Sequence, residues 1–71
     1  MAEIKLNDGT VVKMREPKVK DAKIAQASGG NEQEQEITLI GNLTGLSPNE
    51  IDELTLKDYG KLADGLKDFL S

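Results

Sequence analysis

The sequence contains no cysteine and no histidine. These two absences remove a disulfide framework, thiolate and imidazole zinc ligands, a cysteine nucleophile and any Ser-His-Asp triad. Tryptophan is also absent, and the aromatic complement is a single tyrosine, Tyr59, and a single phenylalanine, Phe69, so any core is aliphatic and thin. A chain of 71 residues buries only about 60% of its unfolded surface, which leaves packing or a partner to supply stability. It leaves no room for an active-site domain beside a structural one. Nowhere do about 18 apolar residues run together as a membrane span requires, and Met1-Ala2-Glu3-Ile4-Lys5 lacks the apolar run of a signal peptide. The expectation is a cytoplasmic protein with no membrane contact.

Basic residues are outnumbered, nine against thirteen acidic, for a net charge of −4. Affinity for phosphates comes chiefly from Lys and Arg displacing counterions, so nucleic acid is a poor partner for this surface. The basic cluster is Lys18, Lys20 and Lys23, and it is interrupted by Asp21 with Glu16 close by and no aromatic residue for base stacking.

Residues 3–14 read as a β-hairpin, with Asn7-Asp8-Gly9 as the turn between two runs of period-two alternation. A two-residue Asp8-Gly9 turn would oppose Ile4 to Lys13 and mix apolar and charged residues on both faces. A three-residue loop with a left-handed Gly9 instead pairs Leu6 with Thr10 and Ile4 with Val12, and puts Met14 on the same face. The second register is expected. Two strands alone are marginal in water, so that face needs a cover.

Pro17 stops the second strand. Residues 18–27 predict a short, weak helix carrying Val19, Ala22, Ile24 and Ala25, with Asp21 as its cap. Residues 28–34 read as a flexible loop with Gly29-Gly30 as a hinge, turning into the solvated first turn of the next helix. A helical region follows over 35–70. Asn31 with Glu34 makes a capping pattern, Ile37, Ile40 and Leu43 form a stripe at helical spacing, and Gly45 ends the helix. Ser47-Pro48-Asn49-Glu50 opens a short helix to about Leu54, with Leu46 and Ile51 placed as a hydrophobic staple. Thr55 and Asp58 cap a last one, whose apolar face carries Tyr59, Leu62, Ala63, Leu66, Phe69 and Leu70. Gly60 and Gly65 inside it each cost about 1 kcal/mol relative to alanine. The fold class is therefore α+β: an N-terminal β-hairpin followed by three to four short α-helices packed in one small, mostly helical domain over 1–71.

No chemistry-bearing constellation emerges. Glu50, Asp52 and Glu53 lie where negative charge complements a helix dipole rather than as an acid/base pair. Asn7-Asp8-Gly9 does not continue as a calcium loop, and Gly29-Gly30 runs into an acidic segment that would repel phosphate. The serines Ser28, Ser47 and Ser71 stand outside the Asp-Ser-Leu context of acyl carrier proteins. No catalytic residue, metal site or cofactor is expected. The residues left as core or partner contacts are Ile37, Ile40, Leu43, Tyr59, Leu62, Leu66 and Phe69, because an amphipathic helix on a thin core can bury its face either way.

From Leu39-Ile-Gly-Asn-Leu-Thr-Gly-Leu-Ser-Pro-Asn-Glu-Ile-Asp-Glu-Leu-Thr-Leu-Lys-Asp to Tyr59, the chain resembles the small tail assembly chaperones of contractile-tailed phages and prophages, the E-type and Mu-like group. The Leu-Asn-Asp-Gly-Thr hairpin and Met14-Arg15-Glu16-Pro17, with a Val and an Asp soon after, resemble that family's opening. The similarity runs from Ile4 to Leu70 and rests on the order of caps and apolar spacing. Gly60 and Gly65 depart from it, as do Lys20 and Lys23, which make the first helix less apolar. The resemblance implies a non-enzymatic protein that binds the tape-measure protein, keeps it soluble during tail morphogenesis and is missing from the mature virion. It also implies, from related systems, a longer frameshift product of the same gene. A homo-oligomer is left open. The alternative from another class is a small acidic protein–protein adapter or regulatory module without enzymatic activity.

Overall fold

The computed structural model describes residues 2–70; Met1 and Ser71, which the expected domain includes, lie outside the described residues. Strands β1 (Ala2–Lys5) and β2 (Val11–Met14) form an antiparallel hairpin, followed by helices α1 (Val19–Ala27), α2 (Glu32–Thr44), α3 (Pro48–Asp52) and α4 (Leu56–Leu70). This is the α+β class expected, with four helices.

The hairpin adopts the three-residue register. Ile4 pairs with Val12 and Ala2 with Met14. The Leu6 amide donates to the Thr10 carbonyl at 2.8 Å and the Gly9 amide to the Leu6 carbonyl at 3.0 Å. Gly9 has φ +91°, a conformation that a Cβ would strain, and the Asp8 carboxylate accepts from the Thr10 amide at 2.9 Å. In consequence Ile4, Leu6, Val12 and Met14 all face inward and are buried.

That face is covered by the helices. Ile40 and Leu43 from α2, Ile51 from α3, and Leu62 and Leu66 from α4 complete one apolar cluster with the hairpin. Two polar ties fasten the hairpin to it. The Arg15 amide donates to the Leu43 carbonyl at 3.1 Å, satisfying a group that the end of α2 would otherwise leave orphaned. At the turn, the Asn7 amide donates to Asp58 Oδ1 at 3.0 Å, across 51 positions of sequence. Lys61 Nζ reinforces this corner by donating to Asn7 Oδ1 at 2.8 Å.

Gly65 marks a close approach of α4 to β1: a Cβ built there would lie 2.7 Å from Ile4 Cδ1. The departure from good helix formers at this position thus has a packing reason, the passage of α4 over β1.

Several local boundaries differ from the expectation. Helix α2 begins at Glu32, so residues 32–34 of the expected 28–34 loop are helical. Asn31 Oδ1 accepts from the Glu34 amide at 2.9 Å while Glu34 reaches back to the Asn31 amide, and this reciprocal cap carries the acidic first turn. Gly45, φ +79°, ends α2 as expected. Helix α3 is capped by Ser47 and Glu50 as expected but ends at Asp52, not Leu54. Asp21 lies in the first turn of α1 rather than at its cap position. It is fully buried and binds Arg15 through both carboxylate oxygens, at 2.6 and 2.8 Å, while accepting from the Lys18 amide at 2.9 Å. The Asp58 amide donates to the Thr55 hydroxyl oxygen at 3.2 Å, as a capped turn requires, but the Asp58 carboxylate serves the hairpin.

Candidate protein-binding surfaces

The seven residues proposed as core or partner contacts divide by burial. Ile40 and Leu62 have no exposure, and Leu43 and Leu66 are nearly as deep, so the middle of both stripes is committed to the core. Ile37, Tyr59 and Phe69 are partly buried at its margin. Ile37 and Tyr59 line one shallow depression with Leu54 and Leu56. Phe69 lies apart from them, beside Ala2, Ile4 and Gly65. Tyr59 is fixed by its hydroxyl, which donates to Glu36 Oε1 at 2.5 Å. Burial and the adjoining carboxylate both push the phenol's pKa upward, so it remains a neutral donor.

The largest apolar exposures are residues outside that set. Leu56 at the start of α4 is 88% exposed and Val19 on α1 is 75% exposed, with Leu70, Val11 and Ile24 at least half exposed. Helix α1 buries Ala25 and Asp21, and its two large apolar side chains face outward.

Two grooves separate the elements. One, of about 310 Å³, runs between α1, α2 and α4 over Ala25, Leu39 and Leu66, with Glu32 and Glu36 along it. The other, of about 420 Å³, opens between the hairpin and α3. Its apolar lining is Leu6, Val12, Leu46 and Leu54, and its exposed carboxylates are Asp8, Glu50 and Glu53. Asp8 and Glu50 are held by the hairpin turn and by the α3 cap. In each case the hydrogen bond to the carboxylate lowers the pKa, first through the Thr10 amide for Asp8 and the Ser47 amide for Glu50. In the sequence Asp8, Leu46 and Glu50 are legible as turn, staple and cap residues, but the meeting of the three segments is not, because their juxtaposition depends on how the hairpin docks on the helices.

Among the described residues no cluster of His, Cys, Asp and Glu could hold a metal ion, and no helix is long and apolar enough to cross a membrane. The two grooves are apolar and edged with carboxylates.

The family model described as phage tail assembly chaperone proteins, E, or 41 or 14, matches residues 4–71. The chain belongs to that family. The match takes in the hairpin from Ile4 and all four helices of the tail assembly chaperone. Neither curated proteins nor solved structures gave a match. This is not a family of known enzymes, and its role implies protein partners in tail assembly.

Proposed function

We propose that this chaperone binds the tape-measure protein and keeps it soluble while the tail is built, without enzymatic activity, in the cytoplasm of the bacterial host. The family match over residues 4–71 carries this reading. The structure adds physical support. A domain that already has a closed aliphatic core still presents Leu56, Val19, Leu70 and two apolar grooves to solvent, and apolar surface of this kind suits docking of helical apolar segments. The carboxylates around those grooves keep the complex soluble through net negative charge. We extend the reading to a longer frameshift product of the same gene, which would carry this domain, and to absence of the chaperone from the mature virion.

Co-expression is the test. With the chaperone present, the tape-measure protein is expected to move from the insoluble to the soluble fraction and to co-purify with it. A tape-measure protein equally soluble with and without the chaperone, and never recovered in complex, would refute the reading.

A further inference from the structure

We infer that the groove between the hairpin and α3 is the seat for a client segment in which apolar side chains are flanked by lysine or arginine. The inference rests on the chaperone reading above and goes on to specify both the surface and the chemistry of what it holds.

Leu6 and Val12 are nearly fully buried and Leu46 and Leu54 partly so, which makes them the floor of the groove. Asp8, Glu50 and Glu53 are exposed and form its edge. Among the described residues no basic one lines it. Among the described residues none of the three carboxylates is in an ion pair; the pairs present are Arg15 with Asp21 and Lys61 with Asp58. Two of the three are also oriented in advance. Asp8 is tied to the Thr10 amide and Glu50 to the Ser47 amide, so a ligand meets negative charge that needs no rearrangement. An apolar floor under an unpaired acidic edge complements an apolar segment with basic flanks and repels one with acidic flanks. The groove between α1, α2 and α4 is the weaker competitor, because it is smaller, about 310 against 420 Å³, and is edged by two carboxylates, Glu32 and Glu36, against three.

The test uses the full chain and a variant carrying Asp8→Asn, Glu50→Gln and Glu53→Gln. The amide side chains retain an acceptor for the turn and the cap, so charge is removed while the fold, checked by circular dichroism, is kept. The probes are a synthetic amphipathic peptide with a leucine stripe flanked by lysines, its counterpart with glutamates in place of the lysines, and the tape-measure protein itself. The lysine peptide is expected to shift the methyl resonances of Leu6, Val12, Leu46 and Leu54, and its glutamate counterpart to leave them unmoved. The triple variant is expected to bind the lysine peptide about tenfold more weakly and with a flatter salt dependence. Undiminished binding by the triple variant overturns the proposal, as do methyl shifts centred on Ala25, Leu39 and Leu66. Seating of the lysine peptide in this groove without capture of the tape-measure protein would support the groove and overturn the choice of client.

Discussion

At Gly60 a Cβ would meet nothing within 4 Å, whereas at Gly65 it would stand 2.7 Å from the Cδ1 of buried Ile4. Both positions are in α4 and both forgo helix propensity, so alanine should add about 0.5–1 kcal/mol of stability wherever space allows. Urea unfolding of Gly60→Ala should show that gain. In Gly65→Ala the same gain is offset by the displacement of Ile4, leaving this variant roughly 1 kcal/mol below Gly60→Ala. Ile4→Val removes the atom in the way, so in that background the two alanine variants should become equally stabilising. If Gly65→Ala gains as much as Gly60→Ala while Ile4 is present, the close passage of α4 over β1 is not what holds the glycine. Neither glycine's role could be read in the sequence, where both appear as flaws in an amphipathic pattern; only the packing partner tells them apart.

Among the elements, α1 packs on α2 with Ala25 as its one buried apolar residue, and Asp21 ties it to the chain before it. The Arg15 guanidinium, followed by the Lys18 amide, lowers the Asp21 pKa from 3.8 to about 2. A depressed carboxylate stabilises the folded state fully above its unfolded pKa and loses that effect as pH falls through the folded one. Thermal unfolding followed from pH 5 downward should therefore show stability dropping between pH 3.8 and about 2. Asp21→Asn, already without the charged pair, should be less stable at pH 5 and lose less over that window. Equal slopes for the two proteins would contradict this role. The other elements were legible because their signals are local: Asn7-Asp8-Gly9 sets the hairpin register, Asn31 with Glu34 starts α2, and Ser47-Pro48 with Glu50 starts α3. Asp21 illustrates the limit of that method. As a capping residue it was read from spacing alone, yet its main partner, Arg15, precedes Pro17 and meets it only once the chain has turned.

For the whole molecule, the radius of gyration of 11.4 Å is close to the ~11 Å of a compact chain of this length, so the helices are gathered on the hairpin rather than held out as arms. This is why the middle of each helical stripe disappears into the core, while apolar surface remains where elements meet and at Leu56, Val19 and Leu70. The family opening in the sequence, Met14-Arg15-Glu16-Pro17 with Val19 and Asp21 following, is a structural device: Met14 ends β2 and fills the core, Arg15 joins both α2 and Asp21, and Pro17 lies in the connection from β2 to α1. The proposal that this chaperone works by holding another protein rests on the family match, with the apolar grooves edged by carboxylates as its physical support. Size-exclusion chromatography with light scattering, applied to the purified chaperone mixed with freshly unfolded tape-measure protein, addresses that claim most directly. The account predicts a soluble peak of defined mass containing both proteins; a chaperone peak of unchanged mass beside aggregated tape-measure protein would contradict it.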